Sequence, residues 1–227
     1  MVGVTPEIYI RATVVTSEGQ CVVVIRHTHT NIVSVSAGTD QEDSLREEGH
    51  QAVFPEAAIH QYTFEQLYQY AATVDTAELS FIKDAWKLNL DLLSAGLGDP
   101  RTVILHRLLQ RNGNVLFSGD SLSSAQLLAS GAVEARVLGI GKPAMSITGS
   151  GSHGIIAIMP LYAIAQCEHC PEDSLLRAAA FSCLVTQYIK EFSGRLSALC
   201  GCGIAAGTGM ACGAAMLRNM PLEKIVM

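Results

Sequence analysis

The sequence predicts an α+β fold: a small antiparallel β-sheet near the N-terminus, followed by a mostly helical, Gly/Ala-rich body. Three observations carry this. The first forty residues hold short β-branched runs separated by turn signals. Helical periodicity dominates after about residue 60. One late window, residues 194–213, packs six glycines and three of the seven cysteines into twenty residues. Gly costs roughly 0.5–1 kcal/mol relative to Ala inside a helix. A segment this rich in Gly is therefore expected to serve close backbone approach, either as a tightly packed central element or as a loop around a ligand.

The strands come first. Glu7 to Thr16 alternates, with Ile8, Ile10, Ala12 and Val14 on one face, and Ser17-Glu18-Gly19-Gln20 reads as a turn. Cys21 to Ile25 and Ile32 to Ser36 make the second and third strands, and the short connections predict a meander with one face covered. Residues 1–40 are thus read as the β-sheet segment, 41–60 as a polar connection and 61–227 as the helical domain. Thr63 is expected to cap one helix and Thr76 another carrying Leu79, Ile82, Trp86 and Leu92. Gly96 and Gly98 are expected to stop it. Asp99-Pro100 opens a helix that Asn112-Gly113-Asn114 ends, and Ser121 to Ala135 reads as helix. Gly154 to Gln166 is apolar with Pro160 as an interruption, and Pro171 starts a long helix to about Phe192.

Composition narrows the function classes. Hydrophobic residues make up 49% and charged residues 16%, with a net charge of −6, so no nucleic-acid-binding surface is expected. The 194–213 window lacks an aromatic belt and flanking basic cluster, which argues against a membrane span. Seven cysteines without a signal peptide suit a reducing compartment, and the cytoplasm is the expected location. The apolar composition is compatible with interfaces buried in a homo-oligomer.

Four constellations are candidates for chemistry. Thr148-Gly149-Ser150-Gly151-Ser152-His153-Gly154 opens an apolar segment, and such a loop presents backbone N–H groups to a carboxylate or phosphate, or is a plain turn. His27 and His29 face one side of an extended segment, as a metal pair or as polar groups bonding locally. Cys167 and Cys170 have C-x-x-C spacing, either with a histidine at a zinc hydrolase site or in a surface loop, and no second pair completes a zinc set. Cys200 and Cys202 are thiolates for a soft metal, or two small buried hydrophobes. Cys21 and Cys183 read as core.

Ser193 to Gly201, followed by Ala205-Ala206-Gly207-Thr208-Gly209, resembles the signature of the L-cysteine desulfidase family, which is related to the alpha chain of iron–sulfur L-serine dehydratases. Ile147 to Gly154 resembles its glycine loop, usually with Asn where Ser152 stands, and His29-Thr30-Asn31-Ile32 resembles its His-Thr-Asn-Ile stretch. The resemblance implies α,β-elimination from L-cysteine or L-serine to pyruvate and ammonia, with a 4Fe–4S cluster as Lewis acid. It implies a small amino-acid substrate bound by His29, Thr30, Asn31, Ser150, Gly151, Ser152 and His153. Cys200 falls on a cluster-ligand position, with Cys202 a weaker second ligand, and no catalytic base is assigned. The family's Gly-Cys-Thr-Glu-Pro segment and later cluster cysteines have no counterpart here, so a central fragment, inactive alone, is expected. The alternative is a non-catalytic binding domain for a small amino acid or anion.

Overall fold

A computed structural model describes residues 9–27, 31–38, 58–193 and 199–226. The α+β expectation holds: a three-stranded antiparallel sheet is followed by a mostly helical body. The chain divides into two compact units, Met1–Pro55 and Glu56–Met227.

In the first unit, β1 (Tyr9–Thr16), β2 (Gly19–Arg26) and β3 (Ile32–Gly38) lie in sequence order. Gly19, at φ 144°, sits in the β1–β2 turn, and Thr13 pairs with Val22, Val23 with Val35. The residues expected on a covered face, Ile10 and Val14, are exposed. The buried side chains are Val22 and Val24, on the opposite face, where the register sets Arg11 beside Val24 and Tyr9 beside Arg26. The Arg26 guanidinium stacks on the Tyr9 ring, so long side chains supply cover that alternation alone does not foretell.

The second unit contains α1 (Phe64–Thr73), α2 (Lys83–Leu97), α3 (Val103–Arg111), α4 (Ser121–Val137), α5 (Gly151–Cys167), α6 (Glu172–Ser193), α7 (Thr208–Leu217) and the short α8 (Leu222–Ile225). Thr63 caps α1 in a reciprocal box with Gln66. Thr76 caps nothing: Asp75 accepts from the Ala77 N–H in a local turn, and a 3₁₀ turn at Ser80–Ile82 precedes α2. Gly96 does not stop α2 either. It is buried inside the helix, where a Cβ would lie 3.0 Å from that of Ala135, and Gly98 is the C-cap. At the start of α3, Glu134 of α4 accepts from the Ile104 and Leu105 N–H groups, serving donors that would otherwise lack partners.

Helix α5 is the centre of the core. Thirteen of its residues are buried, and it runs through Pro160 without a break. The lost backbone bond and ring clash cost about 3 kcal/mol. Burial of Ile155, Ile158, Met159 and Leu161, each worth about 1.5–3 kcal/mol, outweighs it. Around α5 pack α4, α6 and α7. The Gly-rich window becomes a π-helical turn at Cys202–Gly207 leading into α7, and residues 194–198 lie outside the described residues. Only one face of it is buried: Gly209, Cys212 and Gly213 face the core, while Ile204 and Thr208 are exposed. Among the described residues no helix is long and apolar enough to cross a membrane.

Candidate anion cleft at the start of α5

The loop before α5 is a tight reverse turn. Ile147 and Ser150 exchange both backbone hydrogen bonds, at 3.2 and 3.1 Å, around Thr148 and Gly149 at φ 54° and 79°. Two consecutive positive φ values define the primed turn that Gly favours and a β-branched residue resists. Ser150 then caps α5, its hydroxyl accepting from the His153 N–H at 3.4 Å. The helix dipole and the free N–H groups of the first turn therefore point at whatever lies before Gly151.

Three other elements converge on this turn. Arg136, in the last turn of α4, donates from Nη1 to the Ser152 hydroxyl at 3.2 Å. Its Nε lies 2.6 Å from where a Cβ on Gly151 would be, so a side chain there would displace the guanidinium. Lys190 of α6, itself buried, and Gly201 at the entrance to the π-helical turn both approach the His153 ring. A Cβ on Gly201 would lie 2.6 Å from His153 Nε2 and 3.3 Å from Lys190 Cδ.

The sulfurs sit on the same turn. Cys200 is exposed rather than a buried hydrophobe, and Cys202 is half-buried. Backbone N–H groups of Cys202 and Gly203, then the Cys202 thiol, hold the Cys200 thiol below its ordinary value. Burial, then the neighbouring Cys200, pushes Cys202 up, while Arg136 pulls it down. Burial drives the Cys183 thiol up to about 12 at the edge of the core, where it is inert. Cys21 is half-buried rather than core. Cys167 ends α5 and Cys170 lies in the connection to α6, both half-buried. Among the described residues no three His, Cys, Asp or Glu side chains converge as a metal site.

Burial, reinforced by the charges of Lys190 and then Arg136, lowers the His153 pKa, while a bond from the Ile147 backbone opposes the shift. The folded chain thus holds this ring neutral below about pH 6.5, where the unfolded chain protonates it. Where the unfolded state binds more protons, stability falls as pH falls. Denaturation at pH 7.5 and 5.5 is expected to show this acid-side loss in the parent, and a smaller loss in His153→Gln. An equal loss in both proteins would assign it to other groups.

The structure thus places Ser150, Gly151, Ser152, His153, Cys200 and Cys202 around the start of α5. His29 and Thr30 lie outside the described residues. Asn31 belongs to the N-terminal unit, where its side chain donates to the Arg26 carbonyl at 3.1 Å and closes the β2–β3 connection. Arg136 and Lys190 were invisible to sequence reasoning. A basic residue in the last turn of a helix reads as ordinary dipole compensation, and a lysine among apolar residues reads as solvent-facing.

A family model for the serine dehydratase alpha chain matches residues 29–227. The chain is 33% identical over 227 residues to a UPF0597 protein of Clostridium botulinum, covering 97% of this chain and 52% of that one. It is 34% identical over 210 residues to one of Caldanaerobacter subterraneus, covering 91% and 48%. A UPF0597 protein of Methanocella arvoryzae is 34% identical over 229 residues, covering 97% and 52%. The chain therefore spans about half the length of these relatives. No solved structure matches it. With three quarters or more of its length under one family model, the chain belongs to the serine dehydratase alpha chain family.

Proposed function

We propose that the cleft at the start of α5 seats the carboxylate of a small amino acid, L-cysteine or L-serine, in a cytoplasmic lyase that performs α,β-elimination to pyruvate and ammonia. The observation that carries this is the pairing of a capped, buried helix N-terminus with Arg136, whose guanidinium is admitted by the absent Cβ of Gly151. Backbone N–H groups and a fork of guanidinium donors are what a planar carboxylate takes. Ser152 fixes the guanidinium, and Ser150 orders the first turn.

The cofactor that the family resemblance implies, a 4Fe–4S cluster, takes several thiolates. Cys200 and Cys202 bring two, and no third His, Cys, Asp or Glu joins them among the described residues. This ligand set does not fit the cluster. What this chain's own groups do is bind the carboxylate and orient the substrate beside His153 and the Cys200 thiol.

Calorimetric titration with L-cysteine and L-serine, alongside pyruvate release, tests the reading. Arg136→Ala is expected to weaken binding about tenfold or more, since hydrogen bonds to charged groups are worth about 1.5–3 kcal/mol. Unchanged affinity in that variant would remove the carboxylate from this cleft. Tight binding without pyruvate would favour the non-catalytic amino-acid-binding reading.

A further inference from the structure

The turn before α5 does more than present backbone donors. The Thr148 hydroxyl owns one hydrogen, and it donates that hydrogen to the Ile147 carbonyl at 2.7 Å. The same oxygen lies 3.3 Å from His153 Nδ1. With its hydrogen given to the carbonyl, the shorter of the two contacts, that oxygen meets the nitrogen as an acceptor, which assigns the proton to Nδ1. In the neutral ring this leaves the lone pair on Nε2.

Nε2 faces Gly201, where a Cβ would stand 2.6 Å from it and 2.8 Å from Cε1. Glycine at 201 therefore leaves Nε2 without a side chain packed against it. The groups facing the ring are Lys190 from α6, Arg136 from α4 and Thr148 from the turn. The two charged groups are cationic, which disfavours imidazolium before a substrate anion arrives. Thr148 reaches its place only by adopting φ 54°, a left-handed conformation that a β-branched residue resists. That strain is borne at the residue that sets the tautomer.

We propose that His153 is the proton acceptor of the cleft, with its Nε2 lone pair facing Gly201, and that Thr148 is the positioning residue that holds its tautomer. This rests on the carboxylate reading above. With the carboxylate seated at Arg136, Nε2 takes the α-proton and becomes imidazolium. The C–H electron pair forms the Cα=Cβ bond, and hydrosulfide leaves Cβ of cysteine with the C–S pair. From serine, hydroxide would leave and take the proton from the imidazolium as water. The enamine product then hydrolyses to pyruvate and ammonia.

The tautomer can be observed without any substrate. In the full chain labelled with ¹⁵N-histidine, long-range proton–nitrogen correlation near pH 7.5 is expected to show His153 protonated at Nδ1. Thr148→Val should mix the tautomers, and Thr148→Ser should restore the parent pattern. A parent ring protonated at Nε2 overturns the proposal. The role is then read from loss of the α-deuterium of labelled L-cysteine or L-serine. His153→Gln and Gly201→Ala are expected to slow it about a hundredfold, the lower range for general-base catalysis. Gly201→Ala should do so with the Nδ1 proton still in place. If the amino acid binds and His153→Gln exchanges at the parent rate, the base assignment falls while the carboxylate reading stands. If the tautomer is as stated and no amino acid binds, the carboxylate reading falls and takes the catalytic role with it.

Discussion

Gly154→Ala is expected to destabilise the fold by about 3 kcal/mol, the upper end for overpacking, and to weaken amino-acid binding in the same protein. The added Cβ would stand 2.0 Å from the Met145 carbonyl oxygen and 2.7 Å from its carbon. No rotamer relieves this, because both partners are backbone. The segment around Met145 must move, and it is held on its other side: its N–H donates to the Asn89 side chain at 3.0 Å, and Asn89 is completely buried in α2. Displacing residues 145–147 also displaces Ile147, one half of the reciprocal pair that forms the Thr148–Gly149 turn. Stability by denaturant titration and affinity by calorimetry should therefore fall together. A variant of parental stability and affinity would show that α5 tolerates a shifted N-terminus, and would weaken the case that this turn is built to one geometry.

Gly209→Ala and Gly213→Ala are expected to cost about 2–3 kcal/mol each, again as overpacking with limited room to relax. A Cβ at 209 would meet the Thr186 hydroxyl at 2.3 Å and the Ser182 carbonyl at 2.4 Å. One at 213 would meet the Ala178 carbonyl at 2.7 Å and Leu161 at 2.8 Å. These four contacts lie on α6 and α5, so the two glycines set how closely α7 approaches both. Thr186 cannot retreat freely, since its hydroxyl already donates to the Ser182 carbonyl at 2.7 Å. Gly203, where a Cβ would meet nothing within 4 Å, is the internal control. Its replacement by Ala should leave the melting temperature near that of the parent. Equal losses at 203 and 209 would remove the contacts of the added Cβ as the cause, since helix propensity favours Ala over Gly.

Where a local rule settles a residue's conformation, the sequence was sufficient. The Thr63 cap, the break at Asn112-Gly113-Asn114 and the three strands follow from side-chain chemistry within a few positions. The failures are equally specific. Thr76 is a good capping residue that lost to the neighbouring Asp75 turn. Gly96 and Pro160 read as breakers, yet both lie inside helices. Gly96 is retained because Ala135 and Leu105 press against it, and Pro160 because the helix around it is buried on nearly every side. Helix-breaking tendencies amount to about 1 kcal/mol for Gly and about 3 for Pro. Burial of several large side chains exceeds both.

The candidate cleft divides along the same line. The sequence alone indicated that the Gly-rich stretch Thr148 to Gly154 opens a helical segment, because a cluster of small residues before an apolar run is a local signal. The turn itself is Thr148–Gly149, and α5 begins at Gly151. The sequence also pointed to close backbone approach or a ligand loop in the 194–213 window, and close approach holds at Gly201, Gly209 and Gly213 but not at Gly203. Only the tertiary structure decided what the turn faces. Arg136 lies 16 residues before Ser152 and Lys190 lies 37 after His153. Packing of α4 and α6 against α5 carries both to one end of that helix. Whether a cation, a thiol or an imidazole meets a helix N-terminus is settled by how helices pack, and packing depends on summed burial over many residues rather than on any single position.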